Sequence, residues 1–337
     1  MHQKKLAIII INWNGWKDTV ECLESIFNST WRHFSVIVID NGSKDNSLHQ
    51  ITSWARSRFE IKRYNLSDIE TKNINFEYNY PIILIKSEEN QGFARGCNIG
   101  IKYAINAGFR RALLLNNDTI VKPDCLEILD DFSNNNPEFP VLTPLINYYD
   151  RHEIVWCFGG KLTFTGRRYF NYGNKHQNKI RKKYKQVTFI SGCALYANID
   201  IFKQFGLLTE KFFFGEEDYH FSYVMKKNNV KMAAVASAVI FHKIGASHIK
   251  ILDQLKLPYK FIGYLNRFID KKLFCKSFIY WKFWRFLNII YITPKLILVD
   301  RYSFKKVLYF IKLLIQYSNN QNKVNKDLFF KIKEDFC

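Results

Sequence analysis

Four unbroken apolar runs, "LAIIIINW" (6–13), "SVIVIDNGS" (35–43), "PIILIKS" (81–87) and "RALLLNND" (111–118), each lead into a stretch of helical period. Successive side chains of a strand point to opposite faces, so a run that is apolar at every position must be covered on both. Helix-length segments at 17–29, 45–58, 93–107 and from about Asp124 supply that cover. The alternation predicts an α/β fold built on a parallel sheet with helices on both faces. In such sheets ligands bind beyond the carboxyl ends of the strands. The chain places its unusual polar residues at those ends, as in "LLLNNDTIV" (113–121), where Asn116, Asn117 and Asp118 follow a core strand.

Elsewhere the pattern changes. Residues 60–80 are polar without a clear period and are expected to form an inserted loop. Residues 139–197 are β-rich; helices are expected at 199–205 and about 216–229, and a strand at 230–241. From 259 to 317 the period is helical. Phe261, Tyr264, Leu265 and Phe268 share one face, and Val307, Leu308, Ile311, Leu314 and Ile315 share another, flanked by Lys305, Lys306 and Lys312. Such amphipathic helices suit a membrane interface, with packing on the body of the protein as the alternative. Only the last twenty residues read as a loose tail.

Charge is uneven. Of the net +20, residues 161–186 carry nine Lys/Arg and no acid, and residues 243–337 carry 19 Lys/Arg against six Asp/Glu, leaving a nearly neutral body. A basic, aromatic C-terminal stretch suits an anionic membrane, an anionic lipid-linked substrate or nucleic acid, or else a merely solubilising surface. With 47% hydrophobic and 17% aromatic residues, the chain is not a disordered one. Seven cysteines without a CxxC pair give neither a disulfide framework nor a zinc site, and a reducing cytoplasm is the simplest setting. The apolar start is too short for a signal peptide and lacks a cleavage site. No apolar span of about 20 residues predicts a transmembrane helix.

Four polar clusters can carry chemistry. Asp40-Asn41-Gly42-Ser43 follows a strand, where a carboxylate can accept from a base or a ribose; the same residues also make an ordinary turn. "NQGFARGCNIG" (90–100) opens a helix whose free N–H groups can face an anion or sugar. Asp118 stands where a divalent cation could be shared with a diphosphate, since Mg2+ and Mn2+ favour oxygen ligands and often use one or two protein carboxylates. Glu216, Glu217 and Asp218, in "FFFGEEDYHF", crowd carboxylates at a helix start; crowding raises a carboxyl pKa and suits a general base, though such acids also simply cap helices. His242 ends a strand.

Taken in order, these stretches resemble the family 2 inverting nucleotide-sugar glycosyltransferases of the GT-A fold. The resemblance runs from about Leu6 to Ser247 through "IIIINWNG", "VIVIDNGSKDNS", "NQGFARGCNIGI", "LLLNNDTIV", "FISGCALYA", "FFFGEED" and "FHKIGAS". Within the family the chain looks most like bacterial enzymes that build surface polysaccharides, many of them labelled rhamnosyltransferases. The resemblance implies a Rossmann-like mixed sheet flanked by helices in residues 1–248, and leaves 249–337 as a basic, aromatic, amphipathic helical extension. It implies donor contacts at Asn12, Asn14, Asp40, Asn41, Ser43, Asn90, Gly92, Arg95, Asn98 and Asn117. It further implies a divalent cation, Mg2+ or Mn2+, at Asp118 with His242 near it, and a catalytic base in Glu217-Asp218, with Asp218 the choice.

Three positions depart from the family pattern: Asn116 opens the metal motif, His220 stands where an acid is common, and Val224 where Arg is usual. The implied donor is a UDP- or dTDP-sugar, with dTDP-L-rhamnose the leading choice. The implied acceptor is a glycan or a polyprenyl-diphosphate-linked sugar at the inner face of the cell membrane, held close by the basic extension. Trp156, Phe158 and Tyr169 are candidates for stacking on sugar, or for the core. A degenerate nucleotide-sugar-binding protein, a sugar nucleotidyltransferase and a basic nucleic-acid-binding protein are the alternatives. The second lacks its Gly-rich phosphate loop here, and no nucleic-acid-binding motif appears.

Overall fold

The four apolar runs become parallel strands of one mixed sheet. In the computed structural model, residues 6–71, 75–77, 79–163, 168–243 and 256–336 are described. The chain divides into two compact units, the first made of 1–162, 168–209 and 217–250, the second of 163–167, 210–216 and 251–337.

In the first unit the chain runs through β1 (Leu6–Asn12), α1 (Trp16–Phe27), β2 (Phe34–Asn41), α2 (Ser47–Arg56), β3 (Ile61–Asn65) and α3 (Leu66–Glu70). There follow β4 (Ile82–Ser87), α4 (Phe93–Asn106), β5 (Arg111–Asn116), β6 (Thr119–Val121), α5 (Cys125–Asn135) and β7 (Val141–Tyr148). Next come the short β8 (Val155–Cys157), β9 (Gly160–Leu162), β10 (Arg168–Phe170) and β11 (Tyr184–Val187). β12 (Ala194–Asn198), α6 (Ile199–Phe205), α7 (Glu217–Lys227) and β13 (Met232–His242) complete it. The main sheet has the order β11-β13-β7-β12-β5-β1-β2-β4-β3, with β6 beside β13 and β8 beside β7. β3, β4, β2, β1 and β5 are mutually parallel; β12 enters antiparallel between β5 and β7.

The alternation of β1 sorts its side chains into two cores. Ala7 and Ile9 pack with α4, while Leu6, Ile8 and Ile10 pack with α1 and α5. Gly100 lets α4 lie close, because a Cβ there would come 2.4 Å from Ile9 Cγ2. The strand order reverses at β1, with β2 on one side and β5 on the other. This is the switch point at which the ends of neighbouring strands open a crevice. Register places Asn12 beside Asp40 and Ile11 beside Asn116 at that edge.

Two expectations are corrected in this unit. The segment 60–80 is not simply an inserted loop: β3 pairs in parallel with β4 along Ile61–Asn65, and α3 follows. β3 is the edge of the sheet, where charged residues such as Lys62 and Arg63 blunt further pairing, so the apolar signature of a central strand is missing. Phe158 is fully buried and belongs to the core, which removes it as a sugar platform; Tyr169 is exposed.

Arg111 at the start of β5 is buried against Asp130 of α5 and also donates to Asn134 Oδ1 at 2.7 Å. Asp130→Ala leaves that guanidinium buried without its counter-charge. We expect a loss of about 3–5 kcal/mol in urea unfolding; a loss below the ~1 kcal/mol typical of exposed pairs would contradict this reading.

All six described cysteines are free thiols, and Cys22, Cys97, Cys125, Cys157 and Cys193 are buried. Burial, above all, pushes the Cys22 thiol up to about 12, Thr119 offsetting part of it. Among the described cysteines, iodoacetamide at mildly alkaline pH is therefore expected to modify only the half-buried Cys275 until denaturant is added. Mass mapping of the adducts checks this.

The second unit is helical, with α8 (Lys256–Phe274), α9 (Phe278–Pro294) extended by a π-helical turn to Val299, α10 (Phe304–Asn320) and α11 (Lys326–Asp335). Phe261, Leu265 and Phe268 of α8 and Val307 and Leu314 of α10 bury in one common core. The faces expected to meet a membrane are thus largely covered within the unit. The supposed loose tail is α11, capped by Asn325 and anchored by buried Phe329 and Ile332. No helix among the described residues is long and apolar enough to cross a membrane.

Candidate functional site

Side chains at three adjacent strand ends are joined by hydrogen bonds. Asn117, just past β5, donates from Nδ2 to Thr19 Oγ1 at 3.0 Å, and Thr19 donates to Asn12 Oδ1 at 2.9 Å. Asn12 Nδ2 in turn donates to Asp40 Oδ1 at 2.8 Å and to Ser43 Oγ at 3.1 Å. Ser43 Oγ donates to Asp40 Oδ1 at 2.6 Å. Asn12, Thr19 and Asp40 are buried, so each bond is shielded from competing water and the group holds a fixed shape. Asn14, in the left-handed region at φ 52°, accepts from the backbone N–H of Lys44 at 2.7 Å and ties the two loops together.

The loop before α4 is built onto β2. Asn41 Nδ2 donates to Asn90 Oδ1 at 3.1 Å, and the Gln91 N–H donates back to Asn41 Oδ1 at 3.0 Å. Asn90 Oδ1 also accepts from Gly92 N–H at 2.8 Å, fixing the residue that opens α4. Gly42 has φ +70° and a Cβ there would lie 2.3 Å from the carbonyl carbon of Glu89, so no other residue fits this crossing.

Asp118 owes its place to β6. After β5 the chain turns and pairs antiparallel with β13, setting Thr119 opposite His242, and Lys243 N–H donates to the Asp118 carbonyl at 2.9 Å. The Asp118 carboxylate therefore faces the imidazole, with Oδ1 3.1 Å from Nε2, both residues buried. Burial raises the Asp118 pKa, but the hydrogen bond and charge of His242, with Lys243 adding to them, outweigh it and hold the carboxyl below its usual range. Lys243 reaches Asp18 at 2.7 Å and also pairs with Glu21, tying the end of β13 to α1. Trp156 stacks edge-on against His242 with ring centroids 4.7 Å apart.

These two residues can serve as adjacent ligands of a divalent cation. A separation of 3.1 Å is about the edge of an octahedron whose metal–ligand bonds are ~2.1 Å. His242 Nδ1 is buried without a hydrogen-bond partner among the described residues. No group of three His, Cys, Asp or Glu able to hold a metal occurs among the described residues, so a bound ligand would have to complete the shell.

The acid pair reaches the same strand end through one loop. Cys193 accepts from Asn116 N–H at 2.9 Å through its carbonyl, while the adjacent Gly192 N–H donates to Asp218 Oδ2 at 3.2 Å. The Cys193 thiol, raised first by burial, is raised further by the charges of both Asp118 and Asp218. Glu217 acts likewise on Cys97 of α4. Just before α7, Glu216 is held at φ 72°, a strained conformation for a residue with a Cβ.

A family model described as "Glycosyl transferase family 2" matches residues 7–206, the stretch that contains the strand ends, the α4 loop and Asp118. The chain belongs to glycosyl transferase family 2. It is 24% identical over 281 residues to the low-salt glycan biosynthesis hexosyltransferase Agl10 of Haloferax volcanii, covering 81% of this chain and 77% of that protein. It is 30% identical over 100 residues to the uncharacterized glycosyltransferase YibD of Escherichia coli K12, covering 30% of this chain but only 23% of YibD. An uncharacterized glycosyltransferase of Rickettsia felis is matched over 18% of its length, so the chain spans under a quarter of both. Among solved structures, GalNAc-T7 with UDP, GalNAc and Mn2+ has a TM-score of 0.59 at 13% identity, covering 98% of this chain and 56% of that one. The Pyrobaculum calidifontis mannosyltransferase PcManGT with GDP-Man and Mn2+ has a TM-score of 0.54 at 12% identity, covering 82% and 66%. The fold is the GT-A type, a mixed sheet flanked by helices, with further helices at the C-terminus.

For this family 2 chain, the described contacts of two expected donor residues lead elsewhere. Asn98 exchanges two hydrogen bonds with the Leu208 backbone, at 2.8 and 3.0 Å, and so holds the segment after α6. Arg95 is exposed and pairs with Glu70 at 3.1 Å. Val224 packs partly buried against the core, a setting that suits an apolar side chain better than a guanidinium. Thr19, Gly192 and Lys243 were not singled out from sequence. Thr19 lies close to "WNG", Gly192 within "FISGCALYA" and Lys243 next to His242, but what they touch depends on α1, β12 and β13 meeting. Residues 244–247 of "FHKIGAS" lie outside the described residues.

Proposed function

We propose that this protein transfers a hexose from a UDP- or dTDP-sugar to a hydroxyl of a glycan or lipid-linked acceptor, inverting the anomeric centre. The observation that carries this reading is that Gly192 N–H holds Asp218 while the adjacent Cys193 carbonyl accepts from Asn116 N–H, two residues before Asp118 at the end of β5. In this reading a base candidate and a phosphate-side candidate share the end of β5 in a family 2 chain. The relatives support its parts: Agl10 is a glycan biosynthesis hexosyltransferase, and the two structural neighbours hold nucleotides or nucleotide sugars with Mn2+.

In this reading residues 1–248 are the catalytic domain and 249–337 an extension. Asp40, fixed by Asn12 and Ser43, accepts from the donor's base or ribose. Asn90 and Gly92 present the start of α4, whose free N–H groups favour negative charge. Asp118 and His242 hold a divalent cation, which when bound neutralises charge on the leaving diphosphate. Asp218 takes the proton of the acceptor hydroxyl, a poor nucleophile until then. The acceptor is presented at the inner face of an anionic membrane, which suits the +13 of residues 243–337.

Calorimetry with UDP, dTDP and GDP, each with and without Mn2+, tests the donor side. NMR of the product from dTDP-L-rhamnose, the first donor to try, tests inversion. Tight binding of one diphosphate only with Mn2+ is expected; no binding of any nucleotide would remove the reading.

A further inference from the structure

Helix α9 is built inside out. Its buried stripe is Trp281, Trp284, Arg285, Asn288 and Ile292, recurring at helical spacing. Its outward stripe is wholly apolar: Ile279 is 80% exposed, Phe283 and Phe286 each 58%, and Ile290 54%. The polar residues of the inner stripe have partners. Arg285 donates to Asn319 Oδ1 at 2.7 Å and to Ser318 Oγ at 2.9 Å, and lies over the Trp281 ring at 4.5 Å. Lys272 adds bonds to the carbonyls of Ser318, Asn319 and Gln321, so two cations close the C-terminus of α10. The orientation of α9 is thereby fixed by polar contacts, and its apolar face is left outward.

An outward row of Ile and Phe exceeds the scattered apolar exposure normal for a protein surface. The charge around it is one-sided. Residues 271–312 contain a single acid, Asp300, and ten Lys/Arg, eight of them besides the inward Lys272 and Arg285. That acid is already paired with Lys260 at 2.6 Å. Lys282 lies over the Phe278 ring at 4.6 Å, an apolar stem with its ammonium at the rim. Apolar side chains ringed by cations complement a bilayer with anionic headgroups. A second copy of the chain meeting the same patch would bring two cationic rims together, which disfavours self-association. The apolar residues Phe261, Leu265 and Phe268 of α8 and Val307, Phe310 and Leu314 of α10 are buried in the unit's core, while Phe304 and Leu308 of α10 add to the exposed apolar surface.

We propose that the outward face of α9 docks on an anionic lipid bilayer, with Ile279, Phe283, Phe286 and Ile290 inserted among the headgroups and Lys276, Lys282 and Lys295 at the rim. This rests on the reading that the acceptor is presented at a membrane, and it names the surface that would meet it.

The test is co-sedimentation of the full chain with vesicles of phosphatidylglycerol and phosphatidylcholine, and with phosphatidylcholine alone. Wild type is expected to bind the anionic vesicles and to weaken as salt rises. The double substitution Phe283→Glu, Phe286→Glu should weaken binding by about tenfold or more, with an unchanged circular dichroism melt because both side chains are exposed. Lys282→Gln with Lys295→Gln should reduce the preference for anionic vesicles while leaving the apolar row intact. No vesicle binding by wild type, or equal binding by the Phe variant, overturns the proposal. So does a concentration-dependent dimer, seen by sedimentation velocity, that the Phe variant abolishes. Nucleotide calorimetry on the same preparations separates this failure from a failure of the donor reading.

Discussion

Asp218→Asn is expected to cut sugar transfer by about 10²–10⁴-fold, the range lost with a general base, while nucleotide binding stays within about twofold of wild type. The substitution preserves size, and its amide oxygen can still accept from Gly192 N–H, a bond of 3.2 Å in the native protein. The negative charge and the ability to take a proton go. Initial rates of transfer, with calorimetry of the donor diphosphate, measure the two quantities separately. A variant that retains more than about a tenth of wild-type turnover would move the base elsewhere, with Glu217→Gln the next to make. A variant that loses nucleotide binding as well would make Asp218 a structural residue of the 192–193 loop.

Asp118→Ala is expected to abolish the Mn2+ dependence of nucleotide binding and to reduce transfer with it. Losing an outer-shell partner of a metal ligand costs about 10–100-fold in metal affinity or activity; losing the ligand itself should exceed that. The same change removes the carboxylate 3.1 Å from His242, so a fold readout is needed. Asp118→Asn provides it, since it keeps an acceptor for the imidazole. If the amide variant melts like wild type and the alanine variant still binds nucleotide only with Mn2+, then Asp118 is not a ligand. If both variants bind weakly and without metal dependence, Asp118 does hold the cation.

The parallel half of the sheet was legible because β1, β2, β4 and β5 are buried on both faces, and such strands carry continuous apolar runs. β3 was not, because an edge strand needs neither face fully apolar and tolerates Lys62 and Arg63. β6 escaped for another reason. Its three residues are too short for any period, and the partner that makes them a strand, β13, comes more than a hundred positions later. The C-terminal helices were legible as helices, but which of their faces would be covered was not. On period alone, Phe261 and Val307 look as free for a membrane as Ile279 does.

What the sequence determined by itself was therefore local: the kind of element, and which polar residues end each strand. Backbone sterics and side-chain periodicity act over a few residues, so these properties can be read from a few residues. The tertiary structure decided adjacency. It set Asp118 against His242 through the register of β6 on β13. It brought Asp218 to the end of β5 through Gly192 and Cys193. It turned Asn98 toward Leu208, and it buried the Arg285 side of α9 while leaving the Phe283 side outward. Each of these depends on contacts between residues distant in the chain, whose geometry no local pattern encodes.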